Sequence, residues 1–296
     1  VALGRYADAL PFLQAAAALH EQGLPDSACE LARTASTLGR LADVVPDLEP
    51  PTLDGDALLA AVSTPHDRYV VAVSLGFLAT RAGDHADALR LLRIALGAAR
   101  SANHRPGIVT TLFDLGWTER RAGDLAAAAA HLRECLTLAG ALGRKPMLAR
   151  VHNELGELRR VAGDLAAGRR HYEAAVALAT HVDGPEPLVA ELNLAVLDTT
   201  DGRAEEARDR LMAMKRAERL PPWLAAPWEL TLAYAEAALG APELAGRLDR
   251  VIDALSGAPA AQPEAADLLD RIADACADSG AVVLSARARE AARGLR

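Results

Sequence analysis

The sequence predicts an all-α fold, a solenoid of antiparallel helix pairs, and three observations predict it. A Gly-Asp pair recurs at Gly83, Gly123 and Gly163, 40 residues apart each time, and a period of that size marks a stacked repeat array. Alanine and leucine dominate an apolar content of 51%, with only 3% aromatic residues, whereas strands favour β-branched and aromatic side chains. Around each turn glycine, small and apolar residues fall at three- and four-residue steps, which places them on one face of a helix.

From the N-terminus, GRYADALPFLQAAAAL carries Gly4, Ala9, Leu13 and Ala16 at the offsets 0, +5, +9 and +12 that later copies repeat. It reads as the second helix of a pair whose first helix precedes Val1, so the chain is expected to be cut from a longer polypeptide. Residues 23–40 are expected to continue as helix. Residues 45–55 hold three prolines and no helical period, which predicts a loop, and residues 56–63 should return to helix. Residues 1–65 are thus expected to form degenerate N-terminal repeats.

Residues 66–296 are expected to hold six repeats in one continuous solenoid, with turn glycines Gly83, Gly123, Gly163, Gly202, Gly240 and Gly280, spaced 40, 40, 39, 38 and 40. Seven residues before the first three stand Gly76, Gly116 and Gly156, each after a leucine. A residue that small lets a neighbouring helix approach closely. Five, nine and twelve residues after come Ala88, Leu92 and Ala95, then Ala128, Leu132 and Cys135, then Gly168, Tyr172 and Ala175. The turn glycine should end the first helix in the left-handed conformation, and the aspartate after it should cap the second. Pro106 and Pro146, 23 residues past their glycines, suit the first turn of the next helix, where no amide hydrogen is needed. The alanine run 126–130 is then the start of a second helix. Two proline-rich stretches, 220–230 and 257–264, should be irregular connections, with Trp223 and Trp228 either plugging the first or standing exposed as anchors.

The net charge of -8 argues against sequence-independent nucleic-acid binding, which needs excess positive charge. Lysine occurs only at Lys145 and Lys215, a skew towards arginine expected of a GC-rich bacterial genome. Cys29, Cys135 and Cys276 lack metal or redox spacing and read as buried thiols in a reducing cytoplasm. No apolar run approaches the ~18 residues of a membrane span. No zinc-protease, nucleophile-elbow, dinucleotide or phosphate-loop motif occurs, so neither catalysis nor a cofactor is expected. His131 and His171 share the offset +8; without a third ligand they read as exposed polar residues rather than metal ligands. His152 should be partly buried.

The repeat pattern resembles the tetratricopeptide repeat over residues 66–296, with a period of 38–40 rather than 34. The large residue usual four before the turn glycine is replaced by Glu119 and Arg159. The resemblance implies a right-handed superhelix whose first helices line a concave groove, and places Phe77, Arg81, Phe113, Trp117, Arg120, Arg121, Arg150, Asn153, Glu157, Arg160 and Asn193 on that groove. Aromatic and arginine side chains are common interface anchors, and arginine forks onto carboxylates. The alternative is that these arginines pair with Asp114, Glu154 and Glu157. The resemblance further implies a non-catalytic scaffold that binds a protein or peptide, acidic ones included, as a regulatory part of a bacterial signalling protein. The alternative is a ligand or peptide sensor domain of a transcription regulator or protease.

Overall fold

The computed structural model describes residues 28–41, 53–179, 186–216, 224–256 and 263–296. The readings of residues 4–19, of most of the 45–55 loop, of Trp223 and of residues 257–262 lie outside them. Fourteen helices, and no strand, occur among the described residues. They are α1 (Ala28–Leu41), α2 (Gly55–Ala61), α3 (Pro65–Arg81), α4 (His85–Ser101), α5 (Arg105–Arg121), α6 (Leu125–Ala141) and α7 (Lys145–Val161). Then follow α8 (Leu165–Ala179), α9 (Glu186–Thr200), α10 (Ala204–Arg216), α11 (Ala225–Leu239), α12 (Leu244–Ser256), α13 (Pro263–Asp278) and α14 (Val282–Gly294). They fall into two compact units, the first ending at Leu158 and the second running from Arg159 to Arg296.

All six turn glycines have positive φ, from 63° to 87°. At each, the amide of the residue after the glycine reaches back to the carbonyl four residues before the glycine, as Asp124 does to Glu119 (2.9 Å). That bond satisfies a carbonyl the helix end would leave open. Asp84, Asp124 and Asp164 accept from the amides of Asp87, Ala127 and Ala167 at 3.0 Å each, the caps expected of them. The second helices close the same way, through Gly143 (φ 63°) and, in the preceding repeat, Asn103 (φ 50°). Asparagine is among the few side chains that tolerate this region.

In the first unit, the close crossing expected at the small residues is present. A Cβ on Gly116 would stand 2.6 Å from Leu132 Cγ, and one on Gly76 would stand 2.9 Å from Leu92 Cγ. Leu92, Leu112, Leu115, Leu132, Val109 and Cys135 form the fully buried core around them. Helix α1 runs parallel to α3. Its start meets the start of α3 through Cys29 Sγ and the Asp67 carbonyl (3.7 Å). Its end meets the end of α3, where a Cβ on Gly39 would fall 2.8 Å from Leu78 and 3.7 Å from Arg81. Helix α1 therefore takes the place of a first helix beside α3.

In the second unit, Tyr172, Leu194 and Leu197 pack α8 onto α9, and Leu248, Leu269 and Ile272 centre the core of the last two pairs. Trp228 is buried against Leu211, Met214 and Leu224 and donates from Nε1 to the Leu211 carbonyl (2.9 Å). It plugs the irregular connection rather than standing exposed.

Candidate functional site

In the first unit the first helices α3 and α5 each carry a ring paired with a guanidinium of the same helix, and a guanidinium from α7 pairs with a second ring on α5. Arg81 lies 6.0 Å from the Phe77 ring centroid, Arg121 5.3 Å from Trp117, and Arg150 4.2 Å from Phe113. The 3.6-residue turn explains two of these, since a side chain four positions on lies over the one before. The third pair joins neighbouring helices. Phe77, Trp117, Arg81 and Arg121 are all half-buried, so each presents part of its surface. Phe113 differs: it is only 5% exposed, and Arg150 covers it.

Arg120 is tied inward. Its Nε donates to Glu154 Oε2 at 3.0 Å, both side chains being 11% exposed. Burial pushes the Glu154 carboxyl above the ordinary range, and the Arg120 charge offsets part of that rise. Asn153 is buried and Glu157 half-buried on the same helix. Arg160 and Asn193 belong to the second unit, both half-buried. There Arg160 Nη1 approaches Asp267 Oδ2 at 3.7 Å, and Arg271 Nε donates to the same oxygen at 3.1 Å.

Glu119, one of the two residues that replace the usual large side chain, is part of a regular device. The position four before the turn glycine is a buried acid in three repeats: Glu119, Asp198 and Glu236, at 1%, 1% and 5% exposure. Each is met by a base on the second helix of its own pair. His131 Nδ1 lies 2.7 Å from Glu119, Arg210 Nε 3.3 Å from Asp198, and Arg247 Nε 2.7 Å from Glu236. Buried carboxylates persist only when paired and hydrogen-bonded, and here the partner is the other half of the helix pair. Asp198 also accepts from Arg169 (2.7 Å) and Arg203 (3.0 Å). Burial by itself would raise its pKa, but these arginines outweigh burial and hold it below the ordinary range. The expectation that His131 is an exposed polar residue is therefore corrected: it is half-buried and serves Glu119. Arg159, by contrast, is exposed. The signal was available as an acid at −4 with a base at +7 or +8, but it appears only when the two positions are read together.

His152 is half-buried, as expected of that position, and burial lowers its pKa. Cys135 and Cys276 are buried, while Cys29 is half-buried. Among the described residues no group of three or more His, Cys, Asp or Glu side chains is arranged to hold a metal ion, and no helix is long and apolar enough to cross a membrane.

Residues 67–141 match the tetratricopeptide repeat family. No curated protein matches the chain. A Rap protein complexed with Competence and Sporulation Factor is similar in structure, with a TM-score of 0.73 at 14% identity, covering 93% of this chain and 76% of that one. The apo form of RapI aligns with a TM-score of 0.67 at 10% identity over 81% of this chain and 87% of that one. The apo form of the quorum sensor NprR from B. thuringiensis aligns with a TM-score of 0.56 at 12% identity, covering 99% and 98%. At these identities the likeness is one of fold, and the fold of the chain is that of a tetratricopeptide-like helical-repeat protein.

Proposed function

We propose that this tetratricopeptide-like array is a non-catalytic module that binds a peptide segment of a partner protein against the first helices of its first unit. Phe77, Arg81, Trp117 and Arg121 would make the contacts. The observation that carries the reading is the repetition of one arrangement, a part-exposed ring with a guanidinium over it, on the successive first helices α3 and α5. A Rap protein of similar fold is complexed with Competence and Sporulation Factor, which supports a peptide as the ligand class. Arginine can fork onto a carboxylate, so an acidic segment suits the face. Guanidinium contacts left in water contribute little, so the rings should set affinity while the arginines set on-rate and salt dependence.

The setting that fits is a regulatory part of a bacterial signalling protein in the cytoplasm. The likeness to NprR, a quorum sensor, favours one second reading: a sensor domain in which the bound peptide is itself the signal. Selection of a displayed peptide library on the full chain tests the proposal, with a Trp117→Ala/Arg121→Glu variant of unchanged circular dichroism as counter-target. Peptides retained by the chain and lost by the variant are the expected outcome. Peptides bound equally by both would place the binding surface elsewhere and overturn it.

A further inference from the structure

We infer that the edge of the first unit formed by the starts of α5 and α7 docks an acidic segment of a partner protein through Arg105, Arg144, Lys145 and Arg150. Trp117 is twelve residues beyond Arg105 on α5, about 18 Å along the helix. The edge is therefore a different surface from that of the proposed function, and the inference stands whether or not that function does.

All four side chains are exposed, and none forms an ion pair among the described residues. Other arginines of the unit are matched by acids: Arg90 by Asp56 and Asp87, Arg100 by Glu134, and Arg120 by Glu154. Packing gathers the four. Arg105 opens α5, and Lys145 opens α7 with Arg144 just before it. The two helices meet where Arg150 covers Phe113 (4.2 Å) and where Arg120 reaches Glu154 (3.0 Å). They run in the same direction, so their starts belong to one edge. The Tyr69 and His104 rings, 5.0 Å apart, bring the start of α3 to that edge, where Arg68 is exposed too.

Acids are scarce there. Neither α5 nor α7 has one in its first turn. The first along each is Asp114 or Glu154, nine residues past Arg105 or Lys145, and Glu154 is held by Arg120. Asp67, in the first turn of α3, accepts from the Thr64 hydroxyl at 2.6 Å. The cations do not serve their own helices, because a helix start favours acids. The second helices have such acids, Asp84 and Asp124, at the opposite edge. A chain of net charge -8 thus keeps a positive edge, and such a local field attracts anions. The overall charge disfavours nucleic acid, whose binding needs excess positive charge, so a short acidic protein segment is the occupant that fits. Guanidinium groups fork onto carboxylates, and contacts on two helices reinforce each other through effective concentration.

The probe is a fluorescein-labelled decaglutamate peptide, followed by anisotropy on the full chain at about 0.1 M salt, where charges more than ~10 Å apart are largely screened. The wild type should bind it. Arg105→Glu/Lys145→Glu should weaken binding at least about fivefold, the contribution of one exposed ion pair. The gentler Arg105→Gln/Lys145→Gln should weaken it in the same direction. Arg93→Glu/Arg133→Glu makes the same charge reversal at exposed arginines of the second helices α4 and α6, and should weaken binding about twofold at most, since those charges act only through screened distance. Unchanged circular dichroism shows that each variant is folded. No binding by the wild type, equal losses in the two reversals, or no loss in either edge variant would overturn the inference. So would a DNA duplex that competes as well as decaglutamate at the same concentration of negative charge, which would assign the edge to nucleic acid.

Discussion

At the scale of single residues, the turn is where sequence and structure correspond most directly. Gly123 has φ 87°, and beyond the glycine and its two chain neighbours nothing lies within 4 Å of where a Cβ would be. The demand for glycine there is conformational, not steric. Gly123→Val should therefore cost about 1–3 kcal/mol through backbone strain, and Asp124→Ala about 1 kcal/mol through the lost cap. Urea titration of the two variants checks both, and a Gly123→Val chain as stable as the parent would contradict the placement of the helix break. Thiols are the second test. Burial first, then the Asp114 charge, pushes the Cys135 thiol up to about 12, and burial with the Asp67 charge pushes Cys29 up to about 11. The thiolate is the nucleophile, so iodoacetamide at neutral pH should leave both unmodified in the native chain and label them in denaturant, as read by mass spectrometry. The glycines, caps and crossing residues were legible because each is fixed by its own helix pair. Glu119 was legible only as an oddity, because its meaning lies in His131, twelve residues on.

At the scale of elements, the paired acids give opposite responses to pH. Asp198 titrates below the ordinary range in the native chain, so over that window the unfolded chain holds more protons. Its contribution is full above the ordinary aspartate range and is lost as pH falls through the lowered native value. Asp198→Asn should be destabilising at neutral pH, with the difference from wild type shrinking on acidification. Glu154 titrates above the ordinary range, so the native chain holds more protons there. Stability then falls as pH rises from the ordinary glutamate range through the raised value, and Glu154→Gln should flatten that fall. Chemical denaturation across pH 3–8, about the range where carboxylates shift, measures both slopes. The helix pairs themselves were readable from period and small residues. The direction of α1 was not, since it depends on what Gly39 meets on α3. Nor was the cover of Arg150 over Phe113, which joins two helices from different repeats.

At the scale of the whole molecule, an array in which each repeat contacts mainly its neighbours should unfold more broadly than a two-state domain of its length, and two compact units add to that breadth. Calorimetric and van't Hoff enthalpies compared on one sample would show it, the calorimetric value exceeding the other. The approach of Arg160 to Asp267 belongs to this scale too. It depends on how successive pairs stack within the second unit, and no spacing rule along the chain encodes that. The central claim is that the first helices of the first unit bind a peptide through Trp117 and Arg121. The affinity of a peptide selected on the full chain, measured for wild type and for folded Trp117→Ala/Arg121→Glu, tests it most directly. The variant should bind at least about tenfold more weakly, the loss of one anchor residue; equal affinities would contradict binding through these residues.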